Sequence, residues 1–248
     1  MAAARRNVKV GCCGFRLSRA EYFARFPVVE VQQTFYQPPR AETLRGWRGE
    51  APTDFEFTIK AWMLITHEAR SPTYRRLKRE LTEEEREEAG SFRPTRAVRE
   101  AWEATRACAE ALGTRRILFQ CPASFRPAPE NVRNLRRFFS STSRDRFVFL
   151  WEPRGDWPRE LIRELCDELD LAHVVDPLVE RTVTPRRCYF RLHVRRGGRK
   201  TYEDEELAEL YSTLPRGETS YVLFNNVRMA EDAGRFQRLM REEDGDDV

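Results

Sequence analysis

The chain has 248 residues, 40% of them hydrophobic, with sixteen Phe, five Trp and a formal net charge of +4. That length allows one large domain or two small ones with a sizeable core. No apolar run reaches the ~18–20 residues of a membrane span, and the opening MAAARRNVKVG has no apolar centre for a signal peptide, so a soluble, cytoplasmic protein is expected.

In chain order, VKVGCC (8–13) reads as the first strand, followed by a short helix, SRAEYFARF. VVEVQ (28–32) is the second strand and AETLRGWRGE a helix. DFEFTIKA (54–61) alternates cleanly and predicts the third strand. Residues 66–94 form an insertion with a charged middle, LKRELTEEEREE, expected to be helical and to cover part of a site. Helical spacing then runs from Val98 through Trp102 to Leu112, with Gly113 at the stop. RRILFQ (115–120) is the fourth strand, with NVRNLRRFFS as its helix. RFVFLWE (146–152) is the fifth, followed by a helix with Pro158 near its start. LAHVVD (171–176) is the sixth, CYFRLHV (188–194) the seventh with helix EDEELAELYSTL, and SYVLFNN (220–226) the eighth with helix MAEDAGRFQRLM.

Regular β–α alternation predicts a parallel sheet. Eight units in this length fit an α/β fold, a single (β/α)8 TIM-type barrel spanning 1–248, with the insertion after the third strand and an acidic tail at about 242–248. The alternative, a doubly wound open sheet, lacks a G-x-G-x-x-G after the first strand. Six cysteines without a C-x-x-C pair read as buried thiols rather than a disulfide framework. Of the 44 basic residues only Lys9, Lys60, Lys78 and Lys200 are lysine; the arginine bias permits an anionic partner without requiring one.

In such a barrel the chemistry sits at the C-terminal strand ends. Those ends carry Cys13, Glu30 with Gln32, Lys60, Gln120, Glu152 with Arg154 just beyond, Asp176, Arg191 with His193, and Asn225 with Asn226. Side chains two apart on a strand share a face, which groups Glu30 with Gln32 and Arg191 with His193. Any one of these is more often a structural ion pair or cap, but polar groups on all eight strands point to an enzyme-like pocket. His173, inside the sixth strand, reads as a core residue.

The motifs GCCGF (11–15), VVEVQQTFYQPP, FEFTIKAW leading to ITH (65–67), ILFQCPASF, WEPRGDW, YFRLHV and LFNN run in order from residue 8 to about 226. In that order they resemble the DUF72 family, also called YecE-like. PTDFEFTIKAWMLITH and SPTYRRLK look like its archaeal branch. The resemblance implies a TIM-type barrel and supports the site; the family's activity is undefined, so it implies no reaction. Many relatives have Gly-Thr-Ser-Gly or Gly-Thr-Cys-Gly in place of Gly11-Cys12-Cys13-Gly14, Asn in place of Gln32, and Gly in place of Val194.

The first functional reading is an acid–base or hydrolytic enzyme acting on an anionic substrate, small or polymeric, phosphate-bearing ones included. Glu30, Lys60, Glu152 and His193 are its catalytic candidates. Gln32, Tyr36, His67, Gln120, Arg154, Trp157, Asp176, Arg191, Asn225 and Asn226 are its substrate-binding candidates, the arginines by bidentate contact. This reading needs no cofactor. A second reading is a metal-dependent phosphodiesterase or nuclease using Glu30, Glu152, Asp176, His67 and His193, for which three histidines and a cationic pocket are poor supplies. A third is a non-catalytic nucleic-acid-binding module using SPTYRRLKRE, HVRRGGRK (193–200) and the rings of Phe35, Tyr36, Trp62, Tyr74 and Trp157. Cys13 as a nucleophile requires a neighbouring cation that lowers its pKa.

Overall fold

The computed structural model describes residues 6–193 and 201–245. Segment 194–200 of the basic stretch, the first five residues and the last three of the acidic tail lie outside the described residues. The elements are β1 (Asn7–Cys12), α1 (Arg19–Arg25), β2 (Val28–Val31), α2 (Gln33–Tyr36), α3 (Ala41–Glu50), β3 (Glu56–Lys60) and α4 (Met63–Thr66). A 3-10 turn (Pro72–Arg76) precedes α5 (Glu83–Glu88), α6 (Arg96–Leu112), β4 (Arg116–Gln120), α7 (Pro129–Ser141), β5 (Val148–Glu152) and α8 (Arg159–Glu168). Then come β6 (Ala172–His173), β7 (Tyr189–Leu192), α9 (Asp204–Thr213), β8 (Thr219–Phe224) and α10 (Met229–Glu243).

The eight strands form one sheet in the order β6-β5-β4-β3-β2-β1-β8-β7. With all strands parallel and helices alternating between them, this is the (β/α)8 TIM-type class. By contact the chain divides into two compact units.

The first unit comprises Met1–Glu30, Ala51–Glu56 and His173–Val248. Here β1 pairs with β8 over six residues and with β2 at Gly11↔Val28, while β7 pairs with β8. Gly11 permits the close approach to β2, since a Cβ there would lie 2.0 Å from the Val28 carbonyl oxygen. The buried Tyr22 of α1 fastens the same strands: its hydroxyl accepts from the Cys12 N–H at 2.7 Å and donates to the Val28 carbonyl at 2.9 Å. Ala233 and Phe236 place the apolar side of α10 in the core.

The second unit comprises Val31–Glu50 and Phe57–Ala172. β3 pairs with β4 and β4 with β5, in register from Arg116↔Val148 to Gln120↔Glu152. The long helix α6 starts at the Thr95 cap and stops at Gly113, which adopts φ +66°. It buries Val98, Ala101, Trp102, Thr105 and Leu112, the stripe expected from its spacing. Trp102, Phe119, Phe138, Phe139, Phe149 and Phe92 form an aromatic cluster with contacting centroids 5.0–6.2 Å apart. Such rings carry most of a core's burial energy.

Strand boundaries shift by one or two residues from the sequence reading in several places, and three of the differences bear on the candidate residues. The sixth strand shrinks to two residues plus an isolated bridge, Val175↔Phe190. The chain leaves the ladder there because Asp176 accepts from the Leu178 N–H at 3.1 Å and Pro177 has no N–H to give. The second and seventh strands end one and two residues early, so Gln32 turns into αR geometry (φ −86°, ψ −23°) and His193 lies past its strand. Strand alternation therefore does not group Gln32 with Glu30, or His193 with Arg191. The 66–94 insertion is helical only in short pieces, the 3-10 turn and α5.

Candidate functional site

In the first unit, Glu30 at the end of β2 is fully buried. Arg191 of β7, only 1% exposed, brings Nη2 to 3.0 Å from Glu30 Oε1. The Tyr189 hydroxyl, two residues earlier on the same strand, donates to Oε2 at 2.8 Å. Tyr189 stacks on Tyr221 of β8 (centroids 5.9 Å apart), whose hydroxyl donates to Glu56, itself ion-paired with Lys9. Two polar groups, Arg191–Glu30–Tyr189 and Tyr221–Glu56–Lys9, are thus joined through the stacked tyrosine rings, and each supplies its members with partners. Sequence reading missed Tyr189, yet the two-residue alternation that marked Arg191 also marks it.

Cys13 lies against this pair, fully enclosed. Burial first, then the Glu30 charge, push its thiol well above the ordinary value, outweighing Arg191. The cation the nucleophile reading required is present, but the neighbouring carboxylate and burial outweigh it, and the thiol keeps its proton at neutral pH. All six cysteines are free and buried, as expected.

Other first-unit candidates stand at the following loops. The Asn225 amide lies 3.2 Å from His193 Nδ1. Asp176 accepts from the backbone N–H of His193 at 3.0 Å as well as that of Leu178, so it ties the end of β7 to the loop after β6. The Asn226 amide donates to the fully buried Asp232 at 2.6 Å, an anchor for the start of α10. His173 is a core residue, its Nδ1 accepting from the Val183 N–H at 3.2 Å.

In the second unit, Lys60 at the end of β3 is 5% exposed and holds its Nζ 3.4 Å from the centre of the Phe35 ring. Phe35 also meets the His67 ring edge-on at 5.1 Å. His67 Nδ1 lies 2.7 Å from Thr66 Oγ1. Burial, and then the charges of Lys60 and Arg154, lower the His67 pKa to about 3, so its imidazole is neutral at neutral pH. Arg154 brackets Glu152 at the end of β5, with Nε and Nη2 both 2.7 Å from Oε1. Gln120 sits in register beside Glu152 on β4.

The backbone around His67 is held in an unusual way. Gly90, Ser91 and Phe92 all adopt positive φ (91°, 53° and 52°). Their N–H groups donate to the carbonyls of Leu64, Thr66 and Ile65, at 2.7, 3.4 and 2.9 Å. They thereby satisfy the last carbonyls of α4, which a four-residue helix cannot satisfy itself. Phe92 anchors this strap in the aromatic cluster. Left-handed non-glycine residues are costly, and such strain gathers at functional sites.

Two ring candidates are committed elsewhere. Trp157 is buried, its indole N–H donating to the Phe125 carbonyl at 2.8 Å. Tyr36 accepts from Arg76 Nη1 at 2.6 Å and lies under that guanidinium. Among the described residues, no group of three or more His, Cys, Asp or Glu is gathered as metal ligands. No helix among them is long and apolar enough to cross a membrane.

Residues 15–246 match a family described as "protein of unknown function DUF72". A DUF72 protein from Enterococcus faecalis shares the fold with a TM-score of 0.72 at 21% identity, covering 96% of this chain and 99% of that one. A DUF72 protein from Thermotoga maritima gives 0.69 at 22%, over 95% and 100%. Endonuclease IV from Thermus thermophilus gives 0.55 at 14%, over 98% and 100%. At these identities the likeness is one of fold. No curated protein matches the chain.

Proposed function

The chain belongs to the DUF72 family of proteins of unknown function, and from that premise we propose that it is an enzyme of acid–base or hydrolytic type acting on an anionic, phosphate-bearing substrate. The observation that carries this reading is the grouping of two basic side chains, Lys60 and Arg154, about His67, which burial first and then their charges keep neutral. Basic groups gathered at strand ends offer charge-assisted donors to an anionic ligand.

Glu30, Lys60, Glu152 and His193 are the proposed catalytic groups. The two carboxylates sit in unlike settings: Glu30 is enclosed by Tyr189 and Arg191, Glu152 by the partly exposed Arg154. Groups so divided are the ones from which an acid and a base are drawn. Gln32, Gln120, Arg154 and Asn225 serve binding, and neutral His67 serves as a hydrogen-bonding group without charge. No cofactor is called for. Within the family we place the chain with the archaeal branch on PTDFEFTIKAWMLITH and SPTYRRLK, and in the cytoplasm on its six free thiols.

The test is a panel of phosphatase, nuclease and glycosidase substrates assayed with wild type, Glu152→Gln and Lys60→Met. Any hydrolysis found should fall by roughly 10²–10⁴ in both variants while their melting temperatures stay near wild type. Turnover that survives both substitutions in folded protein refutes the assignment.

A further inference from the structure

Arg79, Arg96, Arg106, Arg136, Arg144, Arg154 and Arg235 each form a salt bridge. A cleft of about 660 Å³ in the first unit, between α1 and α10, is lined by Arg16, Arg25, Arg228, Arg238 and Arg241. Arg228 is paired with Glu231, its Nε donating to Oε2 at 2.6 Å. The other four make no salt bridge among the described residues; Arg25 only feels Glu21 one turn earlier in α1.

Four such charges facing one hollow repel each other, and the fold leaves room between them. Gln237 donates to the Arg25 carbonyl at 3.2 Å and ties α10 to the end of α1. Between Arg228 and Gln237 the helix presents Ala230 and Gly234 to the cleft. A Cβ at Gly234 would meet only Arg238 Nη1, at 3.9 Å. Glycine inside a helix costs about 1 kcal/mol relative to alanine, and what this position gains is space beside arginines. The volume is that of a small-molecule site. No exposed aromatic ring lines it, Phe26 being 2% exposed, so there is no platform on which a base could stack. Recognition here is by charge and bidentate guanidinium contact.

We propose that this cleft binds a compact oligophosphate, two or more linked phosphates, either inorganic or carried as the tail of a nucleotide. The inference stands apart from the catalytic reading of the strand-end groups.

Calorimetric titration of the full chain with tripolyphosphate, ADP and single-stranded DNA tests it. The variants are Gly234→Glu, which adds a carboxylate where there is room, Gly234→Ala as its control, and the double change Arg25→Gln with Arg238→Gln. Tripolyphosphate should bind wild type and Gly234→Ala alike, and at least about tenfold more weakly in Gly234→Glu and in the arginine double variant. ADP binding no tighter than tripolyphosphate identifies the inorganic form as sufficient; tighter ADP binding, lost in the same variants, identifies the nucleotide tail. Three results overturn the proposal: no tripolyphosphate binding, binding that Gly234→Glu and the arginine variant leave intact, or binding of DNA alone. Should Gly234→Glu fail to fold, the arginine double variant decides.

Discussion

The neutrality of His67 can be tested without knowing any substrate. In the folded chain its imidazole is held at about 3, against an ordinary value of 6.5, by burial and by Lys60 and Arg154. The unfolded chain takes up a proton at this residue below pH 6.5, whereas the folded chain does so only near pH 3. Unfolding therefore absorbs a proton in that window, and stability falls as pH falls through it, by about 1.4 kcal/mol per pH unit. At pH 4.5 the loss from this residue alone is on the order of 3 kcal/mol, and the full window is worth on the order of 4–5 kcal/mol. Urea unfolding of wild type and His67→Asn at pH 7 and pH 4.5 isolates this contribution, because all other groups titrate in both proteins. Wild type should lose on the order of 3 kcal/mol more than the variant between the two pH values. Histidine NMR gives a direct reading, with only three histidines to assign. Lys60→Met should raise the His67 pKa towards its ordinary value, since it removes one of the two cations while burial remains. Parallel stability curves, or a His67 resonance that titrates near 6.5, would refute the electrostatics on which the anionic-substrate reading rests.

Two further outcomes concern the scaffold of these groups. Arg191→Met takes the guanidinium away from the fully buried Glu30 and should cost about 3–5 kcal/mol in denaturant unfolding, part of it regained when Glu30→Gln is added; a cost below about 1 kcal/mol contradicts an ion pair there. Gly90→Ala should lower stability by about 2 kcal/mol or more, because Gly90 has φ +91° and a Cβ would lie 2.4 Å from the Glu68 nitrogen and the His67 carbonyl carbon; an unchanged melting curve refutes the strap as the element that holds His67.

The strands were legible because their signal is local. Period-two alternation marked β3, and apolar runs marked β4, β5 and β8 to within two residues. The one-turn helices α2 and α4 were not legible. QTFY and MLIT look like strand continuations, and four residues are too few to show a helical period. Whether a helix forms there depends on contacts from elsewhere: Thr34 donates to the Lys60 carbonyl at 2.7 Å, and the Gly90 strap closes α4. The polarity of the strand ends was readable residue by residue, but the partners were not. That Glu30 would meet Arg191 and Tyr189, some 160 positions away, is not written in spacing along the chain, and β2 and β7 are not even neighbours in the sheet, β1 and β8 standing between them.

Knowing the partners divides roles that the sequence assigned alike. Arg154 and Arg191 both stood as bidentate anion binders. Arg191 is 1% exposed with its guanidinium against Glu30, so turning to a ligand would strip a buried carboxylate of its counter-charge. Its physical role is to position Glu30, together with the Tyr189 hydroxyl. Arg154 has a side chain 36% exposed, and its Nε and Nη2 share a single Glu152 oxygen. A guanidinium offers five donors in a planar fork, enough to hold a carboxylate and a ligand oxygen at once. The two arginines thus differ in exposure: water reaches Arg154 and can take the place of a partner that an anion displaces, whereas none reaches Arg191. Substitution at Arg154 should therefore weaken substrate binding and spare stability, the reverse of Arg191.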